Sequence, residues 1–244
     1  MYLLYTTLYM NVIGHRGAAG LAPENTAKSI KTAIDIGVDG VEFDIRTTLD
    51  GQLVLLHDDN LKRTHSLDKK VSKLTLNHIN KLLDLQGLSI CTLKEALGIT
   101  NTTPTFIEGK GGGWAKPLSK LLQNHPARQF ATVISFNLGE LQSFHSLSQG
   151  TKCMILENHN PMDALNNARI FNFDGVDINF WTLNPVFYWL CQRRKLDVIL
   201  YTVNKPWIAR IISILYPHAS ITTDRPDKMQ FLRTNNQKNA QDKK

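Results

Sequence analysis

The stretch Val41-Glu42-Phe43-Asp44-Ile45, followed across a short connection containing Asp50-Gly51 by Leu53-Val54-Leu55-Leu56-His57, decides how this chain folds. Both runs are apolar and rich in branched residues, as strands are. In the first, Glu42 and Asp44 stand at i and i+2 and so point to one side, while Val41, Phe43 and Ile45 point to the other. Asp50-Gly51 is a turn dipeptide. A parallel crossover needs a dozen or more residues, so the two runs cannot be neighbouring parallel strands. The second is therefore expected to be an antiparallel excursion that brings His57 back to the end of the first.

Working outward, further strand candidates are Asn11–Gly14, Thr105–Lys110, Thr132–Phe136, Cys153–Leu156, Gly175–Ile178, Val198–Val203 and Ser220–Thr223. Helical patterns separate most of them. In Thr26–Ile36, apolar Ala27, Ile30, Ala33 and Ile34 share a face and Gly37 supplies a stop. Strands alternating with helices predict parallel βαβ units, and 244 residues suit one closed (β/α)8 barrel of the TIM type. With the antiparallel excursion set aside, eight strands remain for the barrel. The expectation is a single barrel domain over 1–244, with a small, mostly helical insertion after the second barrel strand at about 59–93 and a polar, frayed tail at about 233–244.

Two acids turned into a barrel repel each other unless positive charge lies between them, and a divalent cation on oxygen ligands would supply it. An edge strand with its acids in water would show the same alternation, so the context decides. His15-Arg16-Gly17 follows the first strand, where barrel active sites are built. His57-Asp58 ends the returning strand, and Glu108 and Lys110 repeat the i, i+2 spacing. Two histidines, three acids, an arginine and a lysine at one barrel mouth are the parts of metal-assisted phosphodiester cleavage. Fixed positive charge from Arg16 and Lys110 would stabilise phosphoryl oxygens, and two imidazoles could take up and deliver protons.

Composition narrows the alternatives. Hydrophobic residues make up 42%, which excludes a disordered or collagen-like chain. The net charge is +7, but +3 of it falls in Arg233–Lys244, and the remaining +4 is spread widely, with Arg193-Arg194-Lys195 the only dense cluster. A nucleic-acid reader would gather its charge on one face with a reader motif, so no nucleic-acid partner is expected; a modest positive field suits an anionic substrate. Cys91, Cys153 and Cys191 lack zinc or disulfide spacing and read as buried free thiols. Met1–Met10 is apolar without a basic leader or cleavage site, so neither a signal peptide nor a membrane span is expected, Met10 is an alternative start, and the location is expected to be cytoplasmic. Oligomeric state is left open.

The motifs His15–Gly17 (H-R-G), Pro23–Thr26 (P-E-N-T), Glu42–Asp44 (E-x-D), Thr48–Gly51 (T-x-D-G), His57–Asp58 (H-D) and Leu61–Thr64 (L-K-R-T) come in that order. They continue with Thr92–Leu97 (T-L-x-E-A-L), Ile107–Lys110 (I-E-x-K), Ser135–Asn137 (S-F-N), Thr202–Asn204 (T-V-N) and Thr223–Pro226 (T-D-R-P). Together they resemble the glycerophosphodiester phosphodiesterase family over nearly the whole chain. The resemblance implies a TIM-like barrel that hydrolyses deacylated phospholipids, such as glycerophosphocholine and glycerophosphoethanolamine, to sn-glycerol 3-phosphate and an alcohol. It implies Glu42, Asp44 and Glu108 as ligands of one divalent cation, with magnesium favoured over calcium or manganese. It further implies His15 and His57 as the acid/base pair, with Arg16 and Lys110 on the phosphate. Attack by the glycerol 2-hydroxyl or directly by water both fit.

Some readings stand beside the resemblance. Pro23–Thr26 reads first as a helix start that shapes its loop, and Asp224 as a residue that orients the C-terminal loop. Gly109 stands where the family carries a bulky apolar residue, which leaves the placement of Lys110 to be settled. Tyr201 replaces a common Trp and Cys91 a common Pro. Trp181 and Trp207 read as core aromatics, or alternatively as a cation–π contact for a choline-like headgroup. A lysophospholipase D acting on single-chain lipids would need an apolar surface near the mouth, for which Leu82, Leu83, Leu85 and Leu88 are candidates. A non-catalytic phosphate-binding barrel is the third reading.

Overall fold

The structure, a computed structural model, describes residues 10–232. The expectations for Met1–Tyr9 and for the tail from Arg233 lie outside the described residues. The strands are β1 (Val12–Gly14), β2 (Gly40–Thr47), β3 (Leu53–Leu55), β4 (Thr105–Gly109), β5 (Ala131–Ser135), β6 (Lys152–Glu157), β7 (Gly175–Asn179), β8 (Asp197–Tyr201) and β9 (Ser220–Thr223). All but β3 pair in parallel, in the order β1-β2-β4-β5-β6-β7-β8-β9, and β9 returns to β1 to close the barrel.

The outer ring holds α1 (Ala27–Ile36) and, after the short α2 (Lys62–His65) and α3 (Leu76–Asp84) of the insertion, α4 (Leu93–Thr100) and α5 (Ala115–Leu122). It continues with α6 (Leu138–Leu147), α7 (Pro161–Phe171), α8 (Pro185–Arg193) and α9 (Pro206–Leu215). The ends are written locally. Thr26 accepts from the Ser29 N–H to open α1, and Gly37, at φ 86°, closes it. Thr92 and Glu95 form a capping box on α4, and a proline opens α7, α8 and α9. No helix among the described residues is long and apolar enough to cross a membrane.

Strand β2 organises the first half of the barrel. One edge pairs with β4 over Val41–Ile45; the other carries β1 at Gly40–Val41 and β3, antiparallel, at Ile45–Thr47. The strand ends at Leu55, but the Leu56 N–H still donates to the Asp44 carbonyl at 3.1 Å, and a side chain holds the next backbone group. The Arg46 guanidinium donates to the His57 carbonyl through Nε at 3.0 Å and Nη2 at 2.6 Å, which fixes where that histidine arrives.

Three apolar clusters follow from the alternation. Val41, Phe43 and Ile45 face the helices in the main core. Inside the barrel, Ile13, Ile134, Met154, Leu156 and Ile199 form a plug. Val54, Leu56, Leu61, Val71, Ile79, Leu83 and Ile90 make a separate small core that roots the insertion. Of the leucines considered for a lipid surface, Leu83 is thus a packing residue, whereas Leu85 and Leu88 are exposed. Trp181 and Trp207 are not core aromatics: both lie open to solvent. Trp181 sits in a turn that follows β7, and Trp207 lies on α9 away from Ala209, Ile212 and Ser213, the residues that α9 buries.

Gly109 has a specific cause. A β-carbon there would lie 2.2 Å from Trp114 Cε2, because the fully buried indole occupies the space a side chain would need. The strand is not bulged: Gly109 stays in register with Ile45, and the Lys110 N–H donates to the Ile45 carbonyl at 3.1 Å. The bulk is supplied from the start of α5 instead, and Lys110 keeps its place. Gly109→Ala should therefore destabilise the fold by about 1–3 kcal/mol through overpacking. The double variant Gly109→Ala/Trp114→Phe should lose less than the sum of its parts in denaturant titrations.

Candidate active site

Strands deliver acids and loops deliver bases to the C-terminal end of the barrel. Glu42 and Asp44 come inward from β2 and Glu108 from β4, and one carboxylate oxygen from each lies within 4.8 Å of the others, all three residues being buried. Asp44 and Glu108 are direct partners in the β2–β4 register. Glu42 Oε1 is buried without a hydrogen-bond donor. Burial and the charges of Asp44 and Glu108 push the Glu42 carboxyl well above the usual carboxylate range. Burial, with Asp44 close by, pushes Glu108 up to about 8. Asp44 is held below its usual value: burial opposes its charge, but Lys110, Arg16 and a hydrogen bond from Asn25 outweigh that.

Two cations answer the three acids. The Lys110 ammonium lies 2.6 Å from Glu108 Oε1 and 3.4 Å from Asp44 Oδ1, with its charge 5.6 Å from the centre of the Phe136 ring. Arg16 Nε lies 3.2 Å from Asp44 Oδ2, its Nη1 donates to Glu24 at 2.9 Å, and its backbone N–H donates to Glu42 Oε2 at 2.8 Å. If ionised, these five groups carry one net negative charge. A divalent cation would reverse it to one positive charge, matched to a single phosphodiester. The unpartnered oxygen, the all-oxygen donor set and the spacing fit such an ion.

Both histidines are anchored through Nδ1. His15 Nδ1 lies 2.6 Å from Asp224 Oδ1 and His57 Nδ1 lies 2.8 Å from Asp58 Oδ1. A carboxylate only accepts, so each Nδ1 carries the proton and, in the neutral ring, each Nε2 is left as the unprotonated nitrogen. His15 Nε2 is 3.9 Å from Glu42 Oε2. Burial lowers the His57 pKa, only partly offset by Asp58. Behind the imidazoles, Arg63 binds Asp58 at 2.7 Å and Glu24 at 2.6 Å, so that Asp58, Arg63, Glu24 and Arg16 form one continuous ion chain.

A cavity of about 260 Å³ opens over this arrangement, lined by His15, Arg16, Glu42, His57, Glu108 and Lys110, with Asp44 fully buried behind them. All seven residues singled out in the sequence thus meet at one place. Others were not foreseen as part of it. Asn25, read as loop shaping, clamps Asp44: its Nδ2 donates to Oδ2 at 2.8 Å, and the Asp44 N–H donates to its Oδ1 at 3.0 Å. Asp224 orients His15 itself, and Asn204 Nδ2 holds Asp224 at 2.6 Å. The motifs P-E-N-T, T-V-N and T-D-R-P carried the signal, but not the partners. Asp177 on β7 is buried in the cavity wall with Oδ1 unpartnered, and no motif marked it.

Comparison with known proteins gives this geometry a family. The model described as the glycerophosphoryl diester phosphodiesterase family matches residues 15–228. The chain belongs to that family. Among its relatives, the Bacillus subtilis protein YhdW, provisionally named a glycerophosphodiester phosphodiesterase, is 29% identical over 233 residues, covering 89% of this chain and 96% of its own. The crystal structure of a glycerophosphodiester phosphodiesterase from Thermotoga maritima superposes with a TM-score of 0.78 at 25% identity, covering 92% of this chain and 99% of that one. A phosphodiesterase from Oleispira antarctica, solved in complex with the product sn-glycerol-3-phosphate, shares the fold with a TM-score of 0.83 at 24% identity, over 91% of this chain and 96% of that one.

The electrostatics of the family's acidic triad give two expectations. With Glu108 at about 8, a divalent cation must displace a proton at neutral pH. Its affinity should therefore rise as pH passes through about 8, and calorimetry in buffers of different ionisation enthalpy should register the released proton. Asn25→Ala should weaken divalent-ion affinity about 10- to 100-fold by freeing Asp44, measured in the same titration.

Proposed function

We propose that the chain hydrolyses glycerophosphodiesters such as glycerophosphocholine and glycerophosphoethanolamine, with Glu42, Asp44 and Glu108 holding one divalent cation, magnesium in first place. The observation that carries the reading is the meeting of this triad with two imidazoles, each tied to a carboxylate by Nδ1 and free at Nε2. The family membership of the chain and the sn-glycerol-3-phosphate in the Oleispira relative support the substrate class.

When bound, the cation supplies charge to a phosphoryl oxygen and lowers the cost of its growing negative charge. Arg16 and Lys110 flank the same position, so the phosphodiester is oriented between fixed positive groups that need no rearrangement as the reaction proceeds. One imidazole receives the proton of the attacking hydroxyl at Nε2; the other, protonated at Nε2, returns one to the leaving alkoxide. The Nδ1 carboxylates hold the tautomer each role requires and stabilise whichever ring is charged. The bond to the headgroup oxygen breaks and the alcohol leaves with a proton; attack by water leaves sn-glycerol 3-phosphate directly, whereas attack by the glycerol 2-hydroxyl leaves a cyclic phosphate that one water then opens to the same product. The aromatic pair Phe136 and Tyr201, with rings 6.2 Å apart edge to face, lines the same cavity.

The test is release of sn-glycerol 3-phosphate from both diesters, with chelator and then with magnesium, calcium or manganese restored. The expected result is release that stops with chelator and returns best with magnesium. His15→Ala and His57→Ala should each lower kcat by about 10²–10⁴ while divalent-ion binding persists. Near wild-type turnover in either variant would overturn the acid/base assignment.

A further inference from the structure

Two neighbouring helices carry apolar residues that the barrel does not use. Helix α9 buries Ala209, Ile212 and Ser213 against the barrel, yet Trp207, Ile211, Ile214 and Leu215 are exposed and fall at helical spacing on another face. Beside it, α8 exposes Trp189, and the turn ahead of α8 exposes Trp181; Trp181, Trp189 and Trp207 are 75%, 53% and 60% exposed. The two helices are fixed to each other where the Tyr188 and Tyr216 rings meet at 5.0 Å, and the His218 N–H donates to the Tyr188 hydroxyl at 3.0 Å. Because Trp181 follows the C-terminal end of β7 and Trp207 stands at the start of α9, the apolar strip begins on the mouth side of the barrel.

The charge along this part of the chain is mostly positive, although Arg194 and Lys195 share a cleft with Asp174 as well as Asp197. From Phe180 to His218 the chain carries Arg193, Arg194, Lys195, Lys205 and Arg210 against a single acid, Asp197, which Lys152 engages at 3.0 Å. The Arg193 guanidinium stacks on the Trp189 ring at 4.9 Å, which keeps a cation at the level of the exposed aromatics.

We propose that this face docks the protein on the surface of an anionic lipid bilayer. Tryptophans that bury their rings at headgroup depth, aliphatic residues that reach just below, and arginines and lysines that meet lipid phosphates are the parts of an interfacial contact. A second copy of the chain is a poorer occupant. A two-fold interface would set this mostly cationic patch against itself. The contact is peripheral, and it is independent of the reaction assigned to the cavity, since binding is read without substrate.

The test is co-sedimentation of the full chain with vesicles of equal parts phosphatidylglycerol and phosphatidylcholine, and with vesicles of phosphatidylcholine alone. Binding is expected to the anionic vesicles, about tenfold weaker to the neutral ones, with a blue shift of tryptophan fluorescence on binding. Trp189→Ser/Ile211→Ser and Arg193→Glu/Arg210→Glu should each lower binding about tenfold while circular dichroism and phosphodiester hydrolysis in free solution stay unchanged. Three results would overturn the proposal: no binding to either vesicle, equal binding to both, or anionic binding that survives both double variants. A wild-type dimer in sedimentation equilibrium that Trp189→Ser/Ile211→Ser dissociates would instead assign the face to self-association.

Discussion

Gathering the carboxylates of Glu42, Asp44 and Glu108 within reach of one another in a nearly dry barrel costs more than ordinary hydrogen bonds return. Positive charge has to reach them, and the fold is arranged so that it does. Lys110 rises two residues beyond Glu108 on the same side of the chain, Arg16 enters from the loop after β1, and Asn25 holds Asp44 from the flank. With all five groups ionised, one negative charge is left over. Two of the acids remain inclined to keep protons.

Around that centre the two imidazoles are supported from opposite ends of the chain. His15 leans on Asp224, 209 residues away in sequence and itself held by Asn204. His57 comes back on the antiparallel excursion, its carbonyl gripped by Arg46 and its ring by Asp58. Barrel closure, which sets β1 between β2 and β9, is what brings these distant pieces together. The acid triad and the two anchored imidazoles therefore depend on the same seam.

Much of this could be read in advance because it is local. All nine strands occur where alternation and branched residues placed them; that Glu42 and Asp44 share a side follows from strand pitch, whereas that the side faces inward needed the histidines and Glu108 as context. The antiparallel nature of β3 follows from the length of its connection, but the grip of the Arg46 side chain on the His57 carbonyl does not, since nothing local announces it. Asn25 looked like cap chemistry because its neighbour Thr26 is a cap; nothing in four adjacent residues reveals a partner on another strand. Gly109 looked like a weakness until the Trp114 indole was found in its place. The exposed tryptophans show the converse: residue type favours burial, but which side of a helix meets solvent is settled by what packs beside it.

The ion chain from Asp58 through Arg63 and Glu24 to Arg16 passes through the insertion, whose own apolar core is small and separate from that of the barrel. Small, separately cored units open more readily than the whole fold. Opening this one would release His57's anchor and Arg16's brace together while the strands that hold the acids stay paired. If turnover needs both supports, its thermal loss is expected to come at a lower temperature than the unfolding of the barrel, an order that activity and circular-dichroism melting curves recorded side by side would check.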